Sequence, residues 1–112
     1  MFTRKSDCTT FDKVKSYVEK LNEDVLLIFG STKCPPCREL SRFLDNYNTE
    51  KEFVIIDLKK PDFKDMDICR EKYGLTAFPT YIVVDKDMNK KIMEIGYKGE
   101  EYFEKFINTH FK

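Results

Sequence analysis

At 112 residues the chain can enclose one hydrophobic core but has no room for a second domain, so a single domain over 1–112 is expected. Lys plus Arg and Asp plus Glu number 20 each and are interspersed, which excludes the one-sided basic excess of a nucleic-acid-binding surface. No apolar run reaches the length of a membrane helix, and residues 1–7, with Arg4 and Lys5, lack the apolar stretch of a signal peptide, so neither membrane insertion nor secretion is expected.

Thr9 or Thr10 is suited to cap a first helix, whose face is marked by Phe11, Val14, Tyr17, Val18 and Leu21. Residues 22–24 break it, and Val25 to Phe29 is a continuous apolar run, the pattern of a strand buried on both faces. Leu40, Phe43, Leu44 and Tyr47 recur at helical spacing over 38–47, and Phe53 to Leu58 reads as a second buried strand. Two such strands joined through a helix form a parallel, right-handed βαβ unit. Phe63, Met66, Cys69 and Tyr73 share a helical face that Gly74 is placed to end. Thr80 to Asp85 is a third strand. A short polar loop, 86–90, then leads to an antiparallel edge strand over Lys91 to Tyr97. A last amphipathic helix runs from about Glu100, with its acidic residues in the first turn, where the helix dipole favours them. The residues at the start, Phe2 to Arg4, are too few to establish a strand. The predicted class is α/β, a mixed central sheet with helices on both faces.

Cys34-Pro35-Pro36-Cys37 lies where the first buried strand hands over to a helix. Cys34 is placed at the helix N-terminus, where free N–H groups and the dipole favour a thiolate, and Cys37 lies one turn on, near enough for a disulfide. A lone Cys-x-x-Cys is also half of a zinc or iron–sulfur site, which needs two further ligands. The remaining candidates are Cys8, Cys69 and His110. Cys69 belongs to an apolar helical face, Cys8 is a candidate exposed thiol, and His110 has no evident partner, so no metal site is expected.

Set beside Phe78-Pro79-Thr80 ahead of the third strand, the motif resembles the thioredoxin superfamily. The resemblance runs from the apolar strand before the motif through Lys72-Tyr73-Gly74-Leu75 to Gly96 and the closing helix. It implies a thioredoxin-like fold, a cis peptide before Pro79, and a substrate groove around Cys34 lined by Phe78, Pro79 and Gly96. A proline heading a strand is common in any fold, so the pairing with the upstream cysteines carries the signal. Cys34 is then the expected nucleophile and Cys37 the resolving cysteine of a thiol–disulfide oxidoreductase. No cofactor is expected beyond that redox-active pair. The implied partners are protein disulfides or dithiols and a reductase or other electron donor, with a monomer in the cytoplasm.

The departures from the family pattern bear on tuning. Lys33 replaces the usual Trp, and Pro35 replaces the usual Gly and removes an N–H that would stabilise the Cys34 sulfur. The family's buried Asp six residues before the first cysteine is Ile28 here. Its Lys partner on the adjacent strand corresponds to Ile55, and no other buried carboxylate is expected. A reductant is favoured. The alternatives are an extracytoplasmic disulfide-handling domain, of the cytochrome-maturation or isomerase type, and a redox-inactive adaptor on the same fold.

Overall fold

The two continuous apolar runs become the middle of one sheet in the computed structural model, which describes residues 1–112. The elements in chain order are β1 (Thr3–Lys5), α1 (Phe11–Leu21), β2 (Val25–Ser31), α2 (Pro35–Asp45) and β3 (Val54–Lys60). They continue as α3 (Met66–Tyr73), β4 (Thr80–Val84), β5 (Lys90–Ile95) and α4 (Glu100–His110). The five strands are ordered β1-β3-β2-β4-β5. β1, β3 and β2 run parallel, while β4 is antiparallel to β2 and β5 to β4. The short N-terminal segment does form a strand, because Thr3 to Lys5 find a parallel partner in Val54 to Ile56.

Strand alternation splits the core into two layers. Val25, Leu27 and Phe29 face α1 and α3, where Val14, Val18, Met66, Cys69 and Tyr73 meet them. Leu26 and Ile28 face α2 and α4, against Leu40, Leu44, Phe103 and Ile107. Residues inside β2, β3 and β4 are buried on both sides, which is why those strands lack polar alternation.

Helix ends follow local chemistry. Thr10 caps α1 through a hydrogen bond from the Lys13 N–H, and Gly74 ends α3 in the left-handed conformation at φ 71°. α3 begins at Met66, one turn later than the apolar spacing from Phe63 suggests. Asp65, at its N-cap, accepts the Phe11 N–H at 2.7 Å and makes no cap bond to its own helix. α2 begins earlier than the apolar spacing indicates, at Pro35, a position where proline's missing N–H costs nothing.

Tyr81 is fully buried on β4, its ring edge-on to Phe103 and Phe106 of α4, and its hydroxyl has no hydrogen-bond partner. Burying an unpaired hydroxyl costs about 1–3 kcal/mol. Tyr81→Phe keeps the ring contacts and is expected to raise stability by about 1 kcal/mol in urea unfolding, with an unchanged m-value. A loss of stability would show that the hydroxyl is satisfied.

Candidate active site

β2 and β3 carry their C-terminal ends to one edge of the molecule, and the β2–α2 turn lies there. Cys34 is the N-cap of α2 in an extended conformation, and its sulfur accepts the Cys37 N–H at 3.3 Å. Pro35 and Pro36 occupy the first two helical positions and have no N–H. Cys37 therefore supplies the first available donor of the helix, and that donor points at the Cys34 sulfur. Cys34 and Cys37 are joined as a disulfide with their Cα atoms 5.2 Å apart. Cys34 is half-buried, whereas Cys37 lies 5 % exposed beneath the helix.

What admits Cys37 to that depth is Gly30. A Cβ on Gly30 would stand 3.2 Å from the Cys37 sulfur and 3.5 Å from its Cβ. A glycine inside a buried strand is the sequence signal for such a close approach, and the reading of the motif alone passed over it.

The peptide bond between Phe78 and Pro79 is cis, and the Phe78 carbonyl oxygen lies 3.7 Å from the Cys34 sulfur. Pro79 is buried behind the dithiol, sharing a small cavity with Cys37. Gly96 stands one strand further out and donates its N–H to the Pro79 carbonyl at 2.7 Å. Phe78 is half-buried, with the Arg70 guanidinium 6.0 Å from its ring centre. Lys33 is exposed; its backbone N–H bonds to the Ser31 hydroxyl and its ammonium is paired with no carboxylate.

Two expectations about the surroundings are corrected. The residue beside Ile28 on the neighbouring strand is Asp57, whereas Ile55 pairs with Leu26. There is thus a buried carboxylate, 5 % exposed, where none was expected. Its Oδ2 accepts the Arg4 Nε at 2.6 Å and the Ser6 hydroxyl at 2.9 Å. Arg4 also reaches Asp45 and the Ser41 hydroxyl of α2, and Lys59 donates to that hydroxyl as well. Asp57 is the one charged residue within an otherwise apolar run, and that was the available signal. Parallel register, which sequence does not reveal, decides what it faces.

Cys8 is the second correction: it is buried in the α1–α3 layer and not exposed. The segment around it is held down by the Lys64 N–H bonding to the Thr9 carbonyl and by the Phe11–Asp65 bond. Burial raises the Cys8 thiol, and burial pushes the Cys69 thiol up to about 12. His110 packs its ring on Phe106. No three His, Cys, Asp or Glu side chains converge in a way that would hold a metal ion.

A family model described as a thioredoxin-like domain matches residues 11–111. The chain belongs to the thioredoxin-like family. A thioredoxin of Chlamydia pneumoniae is 33 % identical over 86 residues, which cover 77 % of this chain and 81 % of that one. Among solved structures, a Plasmodium falciparum thioredoxin superposes with a TM-score of 0.75 at 14 % identity, covering 99 % of this chain and 93 % of that one. Thioredoxin O2 of Arabidopsis thaliana, in its oxidised state, gives 0.72 at 15 % identity, covering 99 % and 95 %. This thioredoxin-like chain is a thiol–disulfide oxidoreductase, with Cys34-Pro35-Pro36-Cys37 as its redox-active pair.

Two measurements check the site's packing. Gly30→Ala forces a methyl against a sulfur tethered by the disulfide, and a loss of about 1–3 kcal/mol of stability is expected for the oxidised protein in urea. With its thiol near 12, Cys69 is ionised at pH 8 to about one part in ten thousand. After reduction, mass spectrometry of the iodoacetamide-treated native protein should find Cys34 alkylated and Cys69 unmodified. Modification of Cys69 at a comparable rate would contradict its burial.

Proposed function

We propose that the protein is a reductant of protein disulfides, with Cys34 as the attacking thiolate and Cys37 as the resolving thiol. The observation that carries the assignment is the asymmetry of the pair. Cys34 lies at the mouth of α2, partly exposed and receiving an N–H, while Cys37 is buried one turn in. In the forward direction the Cys34 thiolate attacks a partner disulfide and forms a mixed disulfide. Cys37 displaces the second partner sulfur and closes the Cys34–Cys37 bond, and an external reductase or other electron donor reopens it.

The direction follows from what stabilises the thiolate. Strongly oxidising members of this chemistry owe their potential to a stabilised reduced form. Here two prolines remove two of the N–H groups at the helix mouth, leaving the Cys37 N–H, and the Lys33 ammonium is in solvent, where its field is screened. A less stabilised thiolate favours the disulfide in the protein and hence electron donation. The partly exposed Phe78, its carbonyl beside Cys34, forms one wall of the surface on which a partner segment would lie, with Pro79 and Gly96 supporting it from behind. Cys8 and Cys69 remain free thiols, which suits a reducing compartment such as the cytoplasm.

Equilibration in glutathione redox buffers tests the direction. A potential near about −270 mV is expected, whereas a value near about −120 mV would make the protein an oxidant and overturn the reading. A Cys37→Ser variant should accumulate Cys34 mixed disulfides with partner proteins, and a Cys34→Ser variant should not. Equal trapping by both would reassign the nucleophile.

A further inference from the structure

Helix α2 has one face that the redox pair does not use. Glu39 and Phe43 stand in one row on it, and Tyr47 continues that row just past the helix end. The first turns of α4, with Glu100 and Glu104, form the opposite wall, and Tyr97, next in sequence to Gly96, completes the lining. Together these residues border an open groove of about 630 Å³. The Phe43 ring centre lies 5.0 Å from that of Tyr47 and 6.4 Å from that of Tyr97, so three half-buried rings make a continuous aromatic floor.

The charge around these rings is one-sided. Glu39, Glu100 and Glu104 are exposed, and none of them is engaged in an ion pair. Burial raises the Tyr97 and Tyr47 hydroxyls. Glu100 and Glu39 add to the shift at Tyr97, and Glu104 adds to that at Tyr47, so the field of each carboxylate reaches a ring of the floor. Arg42 is the one cation in the lining, and neighbouring Lys98 is held by Glu94. Aromatic faces attract cations, and a lysine or arginine lays its apolar stem along such rings while its head reaches for carboxylates.

We propose that this groove between α2 and α4 docks a basic segment of the partner protein whose disulfide Cys34 attacks. This rests on the reading of the protein as a reductant of protein disulfides. Two features join the groove to the redox site. Gly96, whose N–H bonds to the Pro79 carbonyl, leads directly into Tyr97, and Glu39 lies two residues beyond Cys37 on the same helix. Glu39 to Phe43 lie about 8–14 Å along the helix axis from Cys34, at about 1.5 Å per residue. An extended partner chain covers that span in about two to four residues. The preferred partner therefore carries lysine or arginine about two to four residues from the attacked cysteine.

Three disulfide-bonded peptides test this, identical except for lysine, glutamine or glutamate at the second to fourth positions outward from each cysteine. Their rates of reduction by the reduced protein are measured by acid quench and chromatography. Each rate is divided by that with dithiothreitol, a neutral reductant, which removes the effect of the charges on the peptide sulfurs themselves. At low salt the lysine peptide should be reduced about tenfold faster than the glutamate peptide, and the contrast should shrink to within about twofold in about 1 M salt. Replacing the three groove carboxylates together (Glu39→Gln, Glu100→Gln, Glu104→Gln) should abolish the contrast, whereas Arg42→Gln should widen it. Removing three exposed carboxylates at the opposite end of the molecule (Glu19→Gln, Glu23→Gln, Asp87→Asn) should leave it unchanged.

Equal corrected rates for the three peptides, or a contrast that survives in the groove variant, would overturn the proposal. Loss of the contrast in the far-end variant as well would assign it to overall charge and overturn the proposal too. A titration followed by backbone amide NMR needs no thiol chemistry. The lysine peptide with serine in place of its cysteines should shift the amides of Phe43, Tyr97 and Glu104, and unmoved signals there would overturn the groove as the docking site. Failure of the wild type to reduce any of the peptides, with dithiothreitol reducing them all, would instead overturn the underlying reading of Cys34.

Discussion

Helix α2 comes down on the sheet at the one place where β2 has no side chain, and the rest of the site depends on that contact. Gly30 lets the Cys37 sulfur descend to a level where a methyl group would be within 3.2 Å of it. With Cys37 at that depth, the first turn of α2 tips Cys34 to the surface as the helix N-cap. The same approach brings the cavity around Cys37 into line with Asp57 on the next strand and Pro79 on the other side. The exposed sulfur, the shielded sulfur and the buried carboxylate are thus consequences of one close approach between a strand and a helix.

The polar cluster under α2 is the second organising element. A buried carboxylate left alone would be strongly destabilising, and Arg4 meets it with an Nε–Oδ2 contact of 2.6 Å. That arginine lies on β1, the shortest strand, so the edge of the sheet is held by charge as well as by its pairing with β3. It also joins α2, through Asp45 and Ser41, to the sheet beneath it. The ion pair therefore links the N-terminal strand to the helix that carries the cysteines. Replacing it with apolar residues would satisfy the packing but would remove the only carboxylate lining the Cys37 cavity.

The chemistry at Cys34 reflects what the two prolines withhold. Most helix N-termini offer several N–H groups to an anion. Here Pro35 and Pro36 leave the Cys37 N–H as the first donor, which couples the two cysteines. The N–H that would stabilise the Cys34 thiolate belongs to the residue that later attacks it.

The elements themselves were legible in the sequence because they follow from local periodicity. The apolar run 25–29 and the capped helix from Phe11 needed no coordinates, since spacing of two, three or four residues fixes which side chains share a face, whereas the pairing of Cys34 and Cys37 with Pro79 came from the resemblance to the thioredoxin superfamily. The burial of Cys8 was not legible, because it depends on a backbone bond from Lys64 and on the Phe11 N–H bonding to the Asp65 carboxylate, more than fifty residues away in sequence. Nor was the partner of Ile28. Asp57 and Ile55 are equally placed by strand alternation, and only the register of β3 on β2 selects Asp57. The sequence by itself determined the fold class, through near-neighbour patterns, and the redox pair, through the resemblance that the motif and Phe78-Pro79-Thr80 together carry. Tertiary structure alone decided that the pair stands on Gly30 and faces Asp57, because strand register and helix-to-sheet distance are set by the packing of the whole core.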